Sequence, residues 1–95
     1  MSALEHRAAA TVVEEALVAV FDPDLVRRLR EDSPLAVVGM IPADAVAVAD
    51  AVARAAADVG VSCVLTDADV DGVETVADLV AAVQRASDRA QADSR

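Results

Sequence analysis

The chain has 95 residues, enough for one domain, because a protein this short buries only about 60–65% of its unfolded surface and cannot divide that between two cores. Hydrophobic residues make up 56% of it, yet Phe21 is the sole aromatic, so the core is built from Val, Leu and Ala, a composition that favours helices over an all-β core. Seventeen acidic against eight basic residues leave a net charge of -9, which repels nucleic-acid backbones and anionic membrane surfaces and argues against both as partners.

In chain order, Leu4, Ala8, Thr11, Val12, Ala16 and Val20 recur at helical spacing and predict a first helix over Ala3–Val20. Asp22-Pro23-Asp24 interrupts it, and Pro23 opens a short second segment carrying Leu25, Val26 and Leu29, with Arg27, Arg28 and Arg30 on its solvated side. Ser33 to Pro42 is uncharged and punctuated by Pro34, Gly39 and Pro42, the signature of an ordered loop over apolar surface. A long Ala/Val helix is expected over Ala43–Asp58, closed by Gly60 in the left-handed conformation. Leu35 to Gly39 and Val61 to Leu65 also read as short buried strands flanking that helix, so a small βαβ unit stands as the rival to an all-α bundle. Thr75, with Asp78 in the capping-box position, starts a last helix through Val76, Leu79, Val80 and Val83 to Arg85, and the polar run 87–95 reads as a frayed tail after a helical domain over 1–86.

Cys63 is the only cysteine, which excludes an internal disulfide and fits a reducing compartment. The segment Met1 to Arg7 lacks the apolar stretch of a signal sequence, and the longest uncharged run, Ser33 to Ala43, is too short to span a bilayer, so a cytoplasmic protein is expected. No glycine-rich phosphate loop, carboxylate pair or His/Cys cluster points to an enzyme: His6 is expected to be solvated near the terminus and Cys63 to act as a small buried hydrophobe.

Two segments carry a resemblance to a known family. Asp32-Ser33-Pro34-Leu35 through Gly39-Met40, and Asp67-Ala-Asp-Val-Asp-Gly-Val-Glu-Thr75-Val-Ala-Asp-Leu79-Val, together with the order of helices, resemble the four-helix acyl carrier proteins of fatty-acid and polyketide synthesis. The resemblance covers about Leu4 to Arg85. It implies an attachment motif, Asp-Ser-Leu, at the start of the second long helix, where a phosphopantetheine arm is esterified to the serine. Two placements are open here: one puts the serine position at Pro42, the other, which matches the flanking residues better, at Ala45 within Asp44-Ala45-Val46. Neither residue offers an oxygen nucleophile, and no serine lies between Gly39 and Gly60. The resemblance therefore implies a degenerate member with no cofactor, working by contact with biosynthetic enzymes such as a ketosynthase, with Met40, Ile41, Val46, Asp50 and Asp58 as candidate docking residues. Homo-oligomerisation is left open.

Two alternatives are carried beside it. The chain is a working carrier, either through Ser33, whose Asp32-Ser33-Pro34-Leu35 setting imitates the motif, or through a serine replaced in the sequence given. The other is a calcium module, because Asp67, Asp69, Asp71, Gly72 and Asp78 fall at loop positions 1, 3, 5, 6 and 12. Glu74 at the normally apolar position 8, and Asp in place of Glu at position 12, argue against the calcium loop.

Overall fold

The computed structural model describes residues 4–93, and these form an all-α bundle. The helices are α1 (His6–Val20), α2 (Pro23–Arg27), α3 (Ala45–Asp58), α4 (Asp67–Val70) and α5 (Val76–Asp93), with 3-10 turns at Leu35–Val38 and Pro42–Asp44.

Helix α1 lies between α3 and α5 and supplies Val12, Val13, Ala16 and Leu17 to the core. They meet Val48, Val52 and Ala56 of α3 and Leu79, Val80 and Val83 of α5, all of them fully enclosed. Ala9, Ala56 and Ala82 have no exposed surface, so the core is a set of close helix contacts filled by small side chains.

Local chemistry sets the element ends. Asp22 Oδ1 accepts the Asp24 N–H at 2.9 Å, and Pro23 occupies the first turn of α2, where a missing N–H costs nothing. Gly60, at φ 78°, ends α3 as expected. At α5, Thr75 Oγ1 accepts the Asp78 N–H at 3.2 Å while Asp78 Oδ2 accepts from the N–H groups of Glu74 and Thr75, both at 3.1 Å. Those donors hold the Asp78 carboxyl below its ordinary pKa. Removing the cap with Thr75→Ala should cost about 1 kcal/mol in a urea titration.

The structure corrects the sequence reading in five places. Leu35 to Gly39 is a 3-10 turn and Val61 to Leu65 runs extended without a partner strand, so no βαβ unit forms; among the described residues the sole bridge is an isolated one between Pro34 and Thr75. Helix α1 begins at His6, and Ala3, the expected start, lies outside the described residues. Helix α2 stops at Arg27, before Leu29. Helix α5 continues past Arg85 to Asp93, because Ala86 and Ser87 are buried and Arg89 is anchored to α4; the supposed tail is thus largely helical, with 94–95 outside the described residues. Helix α3 begins at Ala45 and not at Ala43, because Pro42–Asp44 forms a 3-10 turn first, while His6 is exposed as expected and pairs with Glu31 on the surface.

Candidate functional site

The loop before α3 is tied to the start of α5. Glu74 C=O accepts the Leu35 N–H at 2.8 Å, Ser33 C=O accepts from Val76 at 3.1 Å and Glu31 C=O accepts from Ala77 at 2.7 Å. This stitching brings the 34–42 segment and the 67–74 segment, distant in sequence, to the two sides of one open groove of about 770 Å³ at the head of α3.

Four residues singled out from sequence meet there. Met40, Ile41, Pro42 and Ala45 all line the groove; Ala45 is the first residue of α3, and Pro42 opens the preceding turn. Asp44 points its carboxylate back along the chain, where Oδ2 accepts the Ile41 N–H at 3.0 Å and fixes that turn. Val46 follows Ala45 in the chain without lining the groove and is 76% exposed, and Ile41 is 57% exposed.

Asp50 and Asp58 belong elsewhere. They line a separate depression between α1 and α3 with Glu15 and Arg54, and Arg54 pairs with Asp50 at 3.0 Å one helical turn away. The α3 helix separates Asp58 from Ala45 by about 20 Å of axial rise, so the five candidate docking residues do not form one surface.

The far wall of the groove comes from α4 and the turn after it, an element that the sequence-based expectations do not include. Its signal was present: Thr66-Asp67-Ala68-Asp69 is a capping box. Asp69 Oδ2 accepts the Thr66 N–H at 2.8 Å, and Thr66 Oγ1 accepts from Asp69 N–H at 3.3 Å. Arg89 of α5 then grips the same carboxylate with both nitrogens, at 3.2 Å and 2.7 Å, and donates to the Val64 C=O at 3.3 Å. The bidentate Arg89 contact, helped by the Thr66 donors and opposed by burial, holds the Asp69 carboxyl far below the usual carboxylate range.

These bonds also bear on the calcium alternative. Asp69 is committed to Arg89 and Thr66, Asp78 to the α5 cap, and Asp67 to Val70 is helical in place of a looped ligand path. Among the described residues no cluster of three His, Cys, Asp or Glu side chains converges as a metal site. Ser33, the alternative attachment residue, sits in the turn before the groove; its Oγ accepts the Arg30 N–H at 2.8 Å. Cys63 is buried, with Sγ donating to the Val83 C=O at 3.7 Å. Burial, reinforced by the nearby Asp69 charge and partly offset by Arg89, pushes its thiol pKa up, which leaves it a poor nucleophile.

The class defined by this architecture is a small all-α bundle with an open apolar groove at the head of its second long helix. No protein-family model matches the chain, and neither a curated protein nor a solved structure is significantly similar to it. No described helix is long and apolar enough to cross a membrane.

Proposed function

We propose that the chain is a non-carrying counterpart of the acyl carrier proteins, acting in the cytoplasm by contact with enzymes of polyketide, fatty-acid or related biosynthesis. The observation that carries the reading is the head of α3. A carrier needs an exposed hydroxyl there, and the stretch from Gly39 to Gly60 contains no Ser, Thr or Tyr at all. Ala45 occupies the first helical position and Pro42 the turn before it, so neither placement of the motif supplies an oxygen for esterification. The exposed apolar side chains of Ile41 and Val46 around that position support a contact role in its stead. Ser33 is a weaker attachment point because its hydroxyl belongs to a tight turn and heads no long helix.

The reading makes a directional prediction about a variant. Incubated with coenzyme A and a broad-specificity phosphopantetheinyl transferase, Ala45→Ser should gain the mass of one arm, because the substitution restores a hydroxyl at the first position of α3 without disturbing a half-buried site. Co-purification of the unmodified chain with a ketosynthase or another synthase component is the matching search for the partner. Failure of Ala45→Ser to react together with failure to retain any synthase component would count against the carrier relationship.

A further inference from the structure

Asp71-Gly72 is the sole Asp-Gly pair in the chain, which contains no Asn. The pair forms the centre of the turn between α4 and α5. There the Val70 C=O accepts the Val73 N–H at 3.2 Å, Asp71 has φ -67° and ψ 127°, and Gly72 has φ 81°. These angles define a type II turn, in which glycine supplies the positive φ at no steric cost. Both residues are exposed, and Asp71 lies between Asp67 and Glu74 on the acidic lip of the groove at the head of α3.

The pair is open to reaction with itself. Among the described residues the Asp71 carboxylate has no ion pair, and the Gly72 N–H meets no acceptor. A Cβ built on Gly72 would meet nothing within 4 Å, so the peptide plane between the two residues has room to swing. Closing a ring onto Asp71 requires that swing, because ψ 127° holds the Gly72 nitrogen away from the Asp71 side chain; what restrains it is the 3.2 Å bond across an exposed turn. At other aspartates the following nitrogen is engaged or lacks its proton. Pro23 follows Asp22, while the N–H groups of Ser33, Val59, Val70 and Leu79 donate to the carbonyls of Arg30, Ala56, Thr66 and Thr75. The carboxylates of Asp69 and Asp78 are committed as well, to Arg89 and to the α5 cap.

The reaction needs no co-reactant except water. The Gly72 nitrogen attacks Cγ of the protonated Asp71 carboxyl, an N–Cγ bond forms, a Cγ–O bond breaks, and the hydroxyl leaves with the amide proton as water. The product is a five-membered imide. Water then adds to either of its carbonyls. Breaking the new N–Cγ bond restores aspartate, whereas breaking the original peptide bond leaves the main chain running through Cγ, with the former backbone carboxyl as the side group.

We propose that Asp71-Gly72 is a site of spontaneous isoaspartate formation, a covalent mark of the chain's age set into the wall of the groove. The isoaspartyl link adds one methylene to the main chain inside the turn and moves the Val73 N–H away from the Val70 C=O. Helix α4 stays anchored through Asp69 and Arg89, and α5 keeps its Thr75 and Asp78 cap, so the change is absorbed by the turn and by Val70 and Val73, which line the groove. The inference is independent of whether an arm is carried.

The test ages the folded native chain at neutral pH and body temperature for several weeks, with a synthetic peptide of residues 67–75 as the clock. Isoaspartate is counted by methyl transfer from S-adenosylmethionine with a protein-isoaspartate methyltransferase. Methyl acceptance should rise with time, fall within the tryptic peptide 55–85, and be matched by loss of cleavage before residue 71 by endoproteinase Asp-N, which does not cut at isoaspartate. In water enriched in oxygen-18, that peptide should gain one heavy oxygen for each imide opened. Asp71→Glu, whose imide ring would have six members, should lose nearly all methyl acceptance, and Asp71→Asn, with ammonia as the leaving group, should form the imide faster than the native chain. Circular dichroism verifies that both variants are folded. Amide shifts in a nitrogen-15 spectrum of the aged chain should centre on Val70, Gly72 and Val73. A folded chain with no methyl acceptance when the peptide is half converted would overturn the proposal, as would isoaspartate confined to other tryptic peptides or equal methyl acceptance by Asp71→Glu.

Discussion

Leu79→Ala should lower the unfolding free energy by about 3 kcal/mol, the middle of the range for deleting a fully enclosed leucine. Leu79 has no exposed surface and faces the core from α5, in a cluster made mostly of Val and Ala side chains of limited reach. A single aromatic, Phe21, only half-buried, means that no large ring shares the load, so each buried leucine is a large fraction of the hydrophobic stabilisation. Against a total of roughly 5–15 kcal/mol for a domain, the loss should reduce the melting temperature by about 12–24 °C. Val64→Ala, at a position 64% exposed, should change stability by less than about 0.5 kcal/mol. Urea titrations of the two variants measure the contrast, and equal midpoints would mean that Leu79 is not a core residue.

The second large effect is expected at Asp69. Asp69→Asn removes the charge that Arg89 grips, weakens the Thr66 cap and leaves a buried amide where a carboxylate was satisfied, a loss of about 2 kcal/mol at neutral pH. Its pH dependence has a definite sign. Because the folded-state pKa is depressed, the stabilisation is complete above the unfolded carboxylate value of about 4 and is lost as pH falls through the lower folded value. The gap between native chain and variant should therefore be constant from pH 6 to 8 and should close on acidification below about pH 4. A gap that instead widened in acid would show that the Arg89 contact is not the source of the shift.

The parts of this structure that were legible in sequence are those decided within one turn of chain. Asp22-Pro23, the Thr75/Asp78 capping box and Gly60 each act over four residues or fewer, and the ends they predict are the ends observed. The end of α5 was missed because its cause is non-local: after Arg85 the sequence offers Ala, Ser and charged residues with no apolar stripe, and Arg89 finds its partner on an element twenty positions earlier. Leu35 to Gly39, read as part of an ordered loop, also admitted a strand as the rival because a short apolar run satisfies a buried strand and a buried turn equally; Pro34 and the left-handed Gly39 at φ 86° decide for the turn.

The candidate site shows the same division. Met40, Ile41, Pro42 and Ala45 are consecutive or nearly so, and their convergence followed from placing a loop before a helix. The acidic lip from Asp67, Asp71 and Glu74 reaches the groove through backbone bonds between 31–35 and 74–77, a pairing that no periodicity announces. The family resemblance places Asp50 and Asp58 among the docking residues, yet helical geometry turns them toward α1.

The most direct test of the central claim, that the head of α3 carries no phosphopantetheine, is the intact mass of the native chain. It is purified, incubated with coenzyme A and a broad-specificity phosphopantetheinyl transferase, and measured alongside an active carrier protein as the positive control. The mass should equal that of the unmodified polypeptide while the control is fully converted; a native chain heavier by one phosphopantetheine arm would contradict the account and direct the search for the attachment point to Ser33.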